Sequence, residues 1–146
     1  MSVLTKDYEG LVEAVATECV VFSPDQAEGK QPKAFVANVA VWDTGATNTI
    51  ITPEIVEKLG LKPAMAGGLS GIGGDVESGI YKINLGLPGG ILVYDVPAFV
   101  SDQLDDYEML IGMDVILLGD FCLSNKDDRT VFSFRIPTKE HIILED

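Results

Sequence analysis

Among the residues able to do chemistry, Asp43 stands out, in the run Val41-Trp42-Asp43-Thr44-Gly45-Ala46. A carboxylate works as a general base when ionised and as a general acid when protonated. This one stands at the end of an apolar run and is followed at once by a hydroxyl residue and a glycine. An Asp just before a Gly is also an ordinary turn residue, so the tripeptide alone leaves that plainer reading open. A glycine-rich stretch, 67–79, could cradle a phosphate. However, Gly71-Ile72-Gly73-Gly74-Asp75-Val76 lacks the third glycine of a dinucleotide fingerprint and opens no helix. Asp105-Asp106 and Asp127-Asp128 lack the alternating spacing of a calcium loop and read as solvated turns. His141, the single histidine, lies in a charged tail beside Glu140, which gives little support to a Ser-His or Cys-His triad or to a histidine-based zinc site. Cys19 and Cys122 sit far apart in apolar runs and read as two buried free thiols. Neither a metal nor a cofactor is expected.

The elements around Asp43 must place it. Residues 12–22 are rich in Val and Ala and predict a strand, 23–32 a turn or loop, and 34–42 a second strand that runs directly into Asp43. Asp43 therefore falls on a loop at a strand end. The next segment carries helix punctuation: Thr52 as N-cap, Pro53 at the first helical position, Glu54 in the first turn and Gly60 as the stop. The glycine-rich 67–79 region has no helical period and leads into the alternating Tyr81-Lys82-Ile83-Asn84-Leu85, which predicts a β-hairpin with its tip near Gly73-Gly74. Leu87-Pro88-Gly89-Gly90 is a turn. Residues 91–100 form another strand, in which Pro97 points to an edge or an end. After the acidic loop 101–108, Met109-Leu110-Ile111 stops at Gly112, and Asp114 is placed to cap a short helix through Leu118. Two closing strands, 121–124 and 130–136, flank a turn over 125–129. Many short strands with regular turn signals and two short helices predict a mainly β sandwich or barrel.

Three features in order give this a sharper form. Asp43-Thr44-Gly45 is followed by the helical segment 53–59, then by the glycine-rich Ser70-Gly71-Ile72-Gly73-Gly74, then by Leu110-Ile111-Gly112-Met113-Asp114. In this order the sequence resembles the retropepsin-like aspartic peptidases, over about residues 34–135. The resemblance implies an acid-protease closed β-barrel with one or two short helices, as a single domain over 1–146 with its core at about 34–136 behind an N-terminal extension. It also implies an aspartic endopeptidase. Many retroviral members carry an acidic residue soon after the catalytic motif and an Arg after the downstream Gly. Here those places hold Thr47 or Asn48, and Met113. The chain is in this respect more similar to cellular and bacterial members.

The resemblance makes Asp43, Thr44 and Gly45 the catalytic residues, and Ala46, Ile72, Gly73, Gly74 and Gly112 the substrate-binding set. Peptide hydrolysis of this kind needs one ionised carboxylate to take a proton from water and one protonated carboxyl to polarise the scissile carbonyl. Two carboxyls about 3 Å apart cannot both ionise, which splits their apparent pKa values. The chain has a single Asp-Thr-Gly and no Asp-Ser-Gly, so the second carboxylate must come from another copy across a twofold axis. Thr44 would reach across that axis, Gly45 would let the substrate backbone approach, and Gly112 would pack behind the loop. The 71–79 hairpin would close over bound peptide as a flap. The implied partners are a peptide or protein substrate and a second copy of the chain. The alternative is a module that keeps the fold and binds peptide without turnover.

Bulk properties agree with one folded domain. The chain has 146 residues, 47% of them hydrophobic, enough for a core. Its formal charge is −13, so a nucleic acid would be repelled over most of the surface and is not an expected partner. Anionic membrane surfaces are disfavoured for the same reason, and no apolar run approaches the roughly 20 residues needed to span a bilayer. Residues 1–10 carry Lys6, Asp7 and Glu9 instead of a basic start and an apolar stretch, which makes the cytoplasm the expected compartment.

Overall fold

The computed structural model describes residues 1–24, 31–64 and 79–146. Its elements are β1 (Ser2–Asp7), β2 (Val15–Phe22), β3 (Ala34–Trp42), β4 (Thr49–Ile51), α1 (Pro53–Leu59), β5 (Tyr81–Leu87), β6 (Ile91–Val100), β7 (Met109–Ile111), α2 (Met113–Ile116), β8 (Asp120–Lys126) and β9 (Arg129–Ile136). Side-chain alternation with period two drives the strands. β2 buries Val15, Thr17, Cys19 and Val21 and turns the residues between them outward. β5 does the same with Tyr81, Ile83, Leu85 and Leu87.

Six strands close into a barrel in the order β2-β3-β7-β4-β6-β5, and β1-β9-β8 form a separate three-stranded sheet. The chain forms the expected closed β-barrel, with two short helices among the described residues. β3 runs parallel to β7, and β4 parallel to β6, while β4 and β7 meet antiparallel at Ile50 and Leu110. These pairings bring the residues after Asp43 and the residues around Gly112 to one end of the barrel. Helix α1 has the anticipated ends: the Thr52 hydroxyl accepts the Ile55 N–H at 3.4 Å, and Gly60 closes it at φ 61°. A left-handed residue there favours glycine.

Several expectations need correction. Within the N-terminal extension a strand forms that the sequence pattern did not assign: β1 pairs with β9 from Ser2 opposite Ile136 to Asp7 opposite Val131, and Leu4 is buried. The strand expected from residue 12 begins only at Val15. The reason is that Gly10 and Val12 are committed elsewhere, the Gly10 carbonyl accepting the Thr130 N–H and the Val12 N–H donating to the Thr130 hydroxyl. The turn expected over 125–129 shrinks to Asp127-Asp128, both at positive φ (56° and 58°), a hairpin turn whose twist matches its strands. Gly112, not Asp114, stands at the N-cap of α2, with no side-chain cap; the Asp114 carboxylate accepts the adjacent Val115 N–H but is otherwise engaged with β4. Cys19 is buried but Cys122 only half-buried, and both are free thiols. Pro97 lies inside β6, opposite Lys82 of β5 and just before the stretch Ala98–Val100 that β4 joins, so the strand has one ladder partner at that point.

Trp42 joins barrel and sheet. Its ring meets Phe132 and Phe134 with centroids 5.0 and 4.9 Å apart and Phe121 at 6.3 Å, in tilted geometries favourable for aromatic pairs. Its buried indole N–H donates to the Thr17 hydroxyl at 3.0 Å, so the polar edge is satisfied. Among the described residues, no helix is long and apolar enough to cross a membrane.

Candidate active site

Strand β3 ends at Trp42, opposite Ile111 of β7, and the next N–H, that of Asp43, donates to the Ile111 carbonyl at 2.9 Å. The chain then turns sharply. Asp43 Oδ1 accepts the Gly45 N–H at 2.8 Å, and the Ala46 N–H donates to the Asp43 carbonyl at 3.2 Å. A Cβ at Gly45 would stand 3.1 Å from Asp43 Oδ1, closer than an ordinary contact, so glycine keeps this turn tight against the carboxylate. Asp43 is half-buried, while Thr44 and Gly45 are exposed. No described residue donates a hydrogen bond to Asp43 Oδ2. The result is one oxygen held by the backbone and one open for chemistry.

The strand end is clamped from behind. Gly112 is buried, and a Cβ there would lie 2.5 Å from the carbonyl carbon and oxygen of Asn48 and 3.0 Å from the Ala46 carbonyl oxygen. Only a residue without a side chain allows this approach. Across it, the Met113 N–H donates to the Ala46 carbonyl at 2.8 Å and the Asp114 N–H to the Thr47 carbonyl at 3.2 Å. The Gly112 N–H donates to the Thr49 hydroxyl at 3.3 Å. That hydroxyl donates in turn to Asp114 Oδ1 at 2.9 Å, while the Thr49 N–H donates to Asp114 Oδ2 at 3.0 Å.

Of the site residues expected from sequence, Asp43, Thr44, Gly45, Ala46 and Gly112 thus lie in one loop cluster. Ile72, Gly73 and Gly74 fall outside the described residues. Thr49 and Asp114 were not anticipated as supports of the site. The signal was there: a threonine in the apolar strand Thr49-Ile50-Ile51 must find a buried polar partner. At the positions of the absent ion pair, the Thr47 hydroxyl instead donates to Asn48 Oδ1 at 3.3 Å. Among the described residues, no group of three His, Cys, Asp or Glu side chains gathers to hold a metal ion.

Residues 36–117 match the model of a protein family described as gag-polyprotein putative aspartyl protease. The chain belongs to that family. The match covers more than half of its residues, from within β3 to the end of α2, and so contains the whole loop cluster. Among solved structures, the chain is similar to the retropepsin-like aspartic protease from Rickettsia conorii, at 16% identity and a TM-score of 0.49, with 90% of this chain and 92% of that one covered. It is also similar to the retroviral protease-like domain of Ddi1 from Leishmania major, at 17% identity and a TM-score of 0.45, with 84% and 95% covered. Comparison of the sequence with curated proteins gives no match.

Proposed function

We propose that the chain is an aspartic endopeptidase whose active site forms when two copies bring their Asp43 side chains together. The observation that carries this reading is the Asp43 turn itself: a carboxylate at an exposed strand end, with one oxygen fixed by the Gly45 N–H and the other unengaged among the described residues. One such group is half of a dyad. With its twin across a twofold axis, one carboxylate is ionised and takes a proton from a bridging water as that water attacks the scissile carbonyl. The other is protonated and polarises that carbonyl. The proton then passes to the departing nitrogen. Exposed Thr44 is available to hydrogen-bond the partner's loop, and Ala46 borders the bound peptide, while buried Gly112 supports the loop from behind; residues 71–79, with Ile72, Gly73 and Gly74, would cover the peptide.

A second copy has a surface suited to it. The three-stranded sheet has two outer strands, β1 and β8. The turn at Gly89 lies so close to β1 that a Cβ there would collide with the Val3 carbonyl. On β8 the segment after β9 is bonded at Asp120, and exposed Leu117, Leu118 and Leu123 lie just before and along the strand. An outer strand with exposed leucines favours pairing with another strand. Phe121 of β8 packs on Trp42, the neighbour of Asp43, which ties this edge to the site.

The test is cleavage of a diverse peptide library by the purified chain from acidic to neutral pH, with Asp43→Asn as the control and sedimentation measured in parallel. Cleavage that rises with the dimer fraction and vanishes in the variant is expected. A folded dimer that cleaves nothing would instead support the peptide-binding module without turnover.

A further inference from the structure

A second feature lies away from the Asp43 turn. A cavity of about 560 Å³ opens between α1 and the exit of β6, within the range of small-molecule sites. Pro53 and Val56 of α1, Tyr81 at the start of β5 and Val100 at the end of β6 form apolar walls. Two exposed acids, Glu57 and Asp102, with Ser101 and Gln103, complete the lining, which contains no Lys, Arg or His among the described residues. Among the described residues, neither carboxylate has a hydrogen-bond or ion-pair partner. By contrast, Glu54 on the same helix is paired with Lys58 at 3.1 Å.

Apolar walls ending in two unpaired carboxylates complement one kind of peptide side chain. A lysine or arginine carries a hydrocarbon stem that gains from apolar contact and a cationic head that seeks anions. A neutral apolar side chain would leave both acids without a counterion, and an acidic one would be repelled. The net charge of −13 adds a long-range pull on cationic peptides.

The cavity is also within reach of a peptide lying across the Asp43 loop. Ile51 of β4 pairs with Val100, and its carbonyl accepts the Ser101 N–H at 3.0 Å, so β4 leads from the loop to the cavity wall. From Ala46 to Pro53 the chain spans at most about 25 Å even when fully extended. An extended peptide covers that distance within about eight residues.

We infer that this cavity is an accessory subsite that takes a lysine or arginine side chain of the substrate, within about eight residues of the scissile bond. The inference rests on the endopeptidase reading for its role in substrate choice, but binding can be tested without cleavage. The probes are acetyl-arginine amide and its uncharged counterpart, acetyl-citrulline amide, titrated into the Asp43→Asn protein while the Val56 and Val100 methyl signals are followed by NMR. The arginine amide is expected to shift both signals and to bind about five- to tenfold more tightly than the citrulline amide. The pair Glu57→Gln and Asp102→Asn should erase that difference. Equal binding of the two amides, or no shift at either valine, would overturn the inference whatever the catalytic outcome. In the active protein, replacing arginine by citrulline at one flanking position of a cleaved peptide should raise KM about five- to tenfold with kcat little changed, and the double variant should remove the effect. Cleavage that ignores the replacement at every flanking position would overturn the subsite and leave the endopeptidase reading standing. Selective amide binding with no cleavage of any peptide would do the reverse.

Discussion

Asp114 holds Thr49 at two points, its Oδ2 accepting the backbone N–H at 3.0 Å and its Oδ1 the hydroxyl at 2.9 Å. Thr49 is fully buried, and its hydroxyl also accepts the Gly112 N–H. Asp114→Ala would leave two buried donors of Thr49 without an acceptor, at a cost of about 1–3 kcal/mol. Urea unfolding should show this loss. Thr49→Val in the Asp114→Ala background should cost far less than in the wild type, because the two residues form one network. Additive losses would show that they act independently.

Gly112→Ala tests the close approach of the two loops. The new methyl would stand 2.5 Å from the Asn48 carbonyl, so one backbone must move. Overpacking of this kind costs about 1–3 kcal/mol. The displaced segment is joined to the Asp43 turn through Ala46, and a shift of about 1 Å in a reacting group can cost on the order of a hundredfold in rate. Thermal unfolding should therefore show a modest loss, and the peptide assay a fall in kcat out of proportion to it. A variant as active as the wild type would show that the contact does not set the carboxylate position.

How far the sequence foretold this arrangement depended on the range of the interactions involved. The Thr52 cap, Pro53 and Gly60 are local signals, and α1 forms where they place it. Asp43 falls at a strand end because the apolar run before it is long enough to be β3. By contrast, β1 is polar on most positions and reads as an extension, since only its pairing with β9 and the burial of Leu4 make it a strand. Asp114 looks like a cap from its neighbours alone; the stronger claim on it comes from Thr49, 65 positions earlier. The Asp127-Asp128 turn was masked by composition, because polar residues around it read as loop while the ladder with β9 carries β8 through to Lys126.

The two thiols should differ sharply in reactivity. Burial among apolar neighbours pushes the Cys19 thiol up to about 12, so almost no thiolate exists near neutral pH. Cys122 is half-buried on β8. Iodoacetamide at pH 8 is expected to label one cysteine per native chain, Cys122, and both after denaturation; peptide mapping identifies the site. Rapid labelling of Cys19 in the native protein would mean that the barrel opens at β2 on the labelling timescale.

The segment after β9 is tied down by Asp120, and the tie should fail in acid. Asp120 accepts the Lys139 N–H at 2.8 Å and the Arg135 Nε–H at 2.7 Å, and Arg135 also reaches Glu140 at 3.3 Å. The Lys139 N–H, with help from the Arg135 guanidinium, holds the Asp120 carboxyl below its ordinary value of 3.8. Because that value is lower in the folded protein than in the unfolded chain, the stabilisation is fully present above about pH 4. It drains away as the pH falls through the depressed folded value. Asp120→Asn removes this dependence, so wild type and variant should differ in thermal midpoint at pH 6 and converge in strong acid. Hydrogen exchange at the Lys139 amide gives the local readout: protected in the wild type at pH 6, fast in the variant at the same pH. If the two midpoints stay apart by the same margin down to the lowest pH at which the protein folds, Asp120 is not the group that titrates, and the segment is held by other contacts.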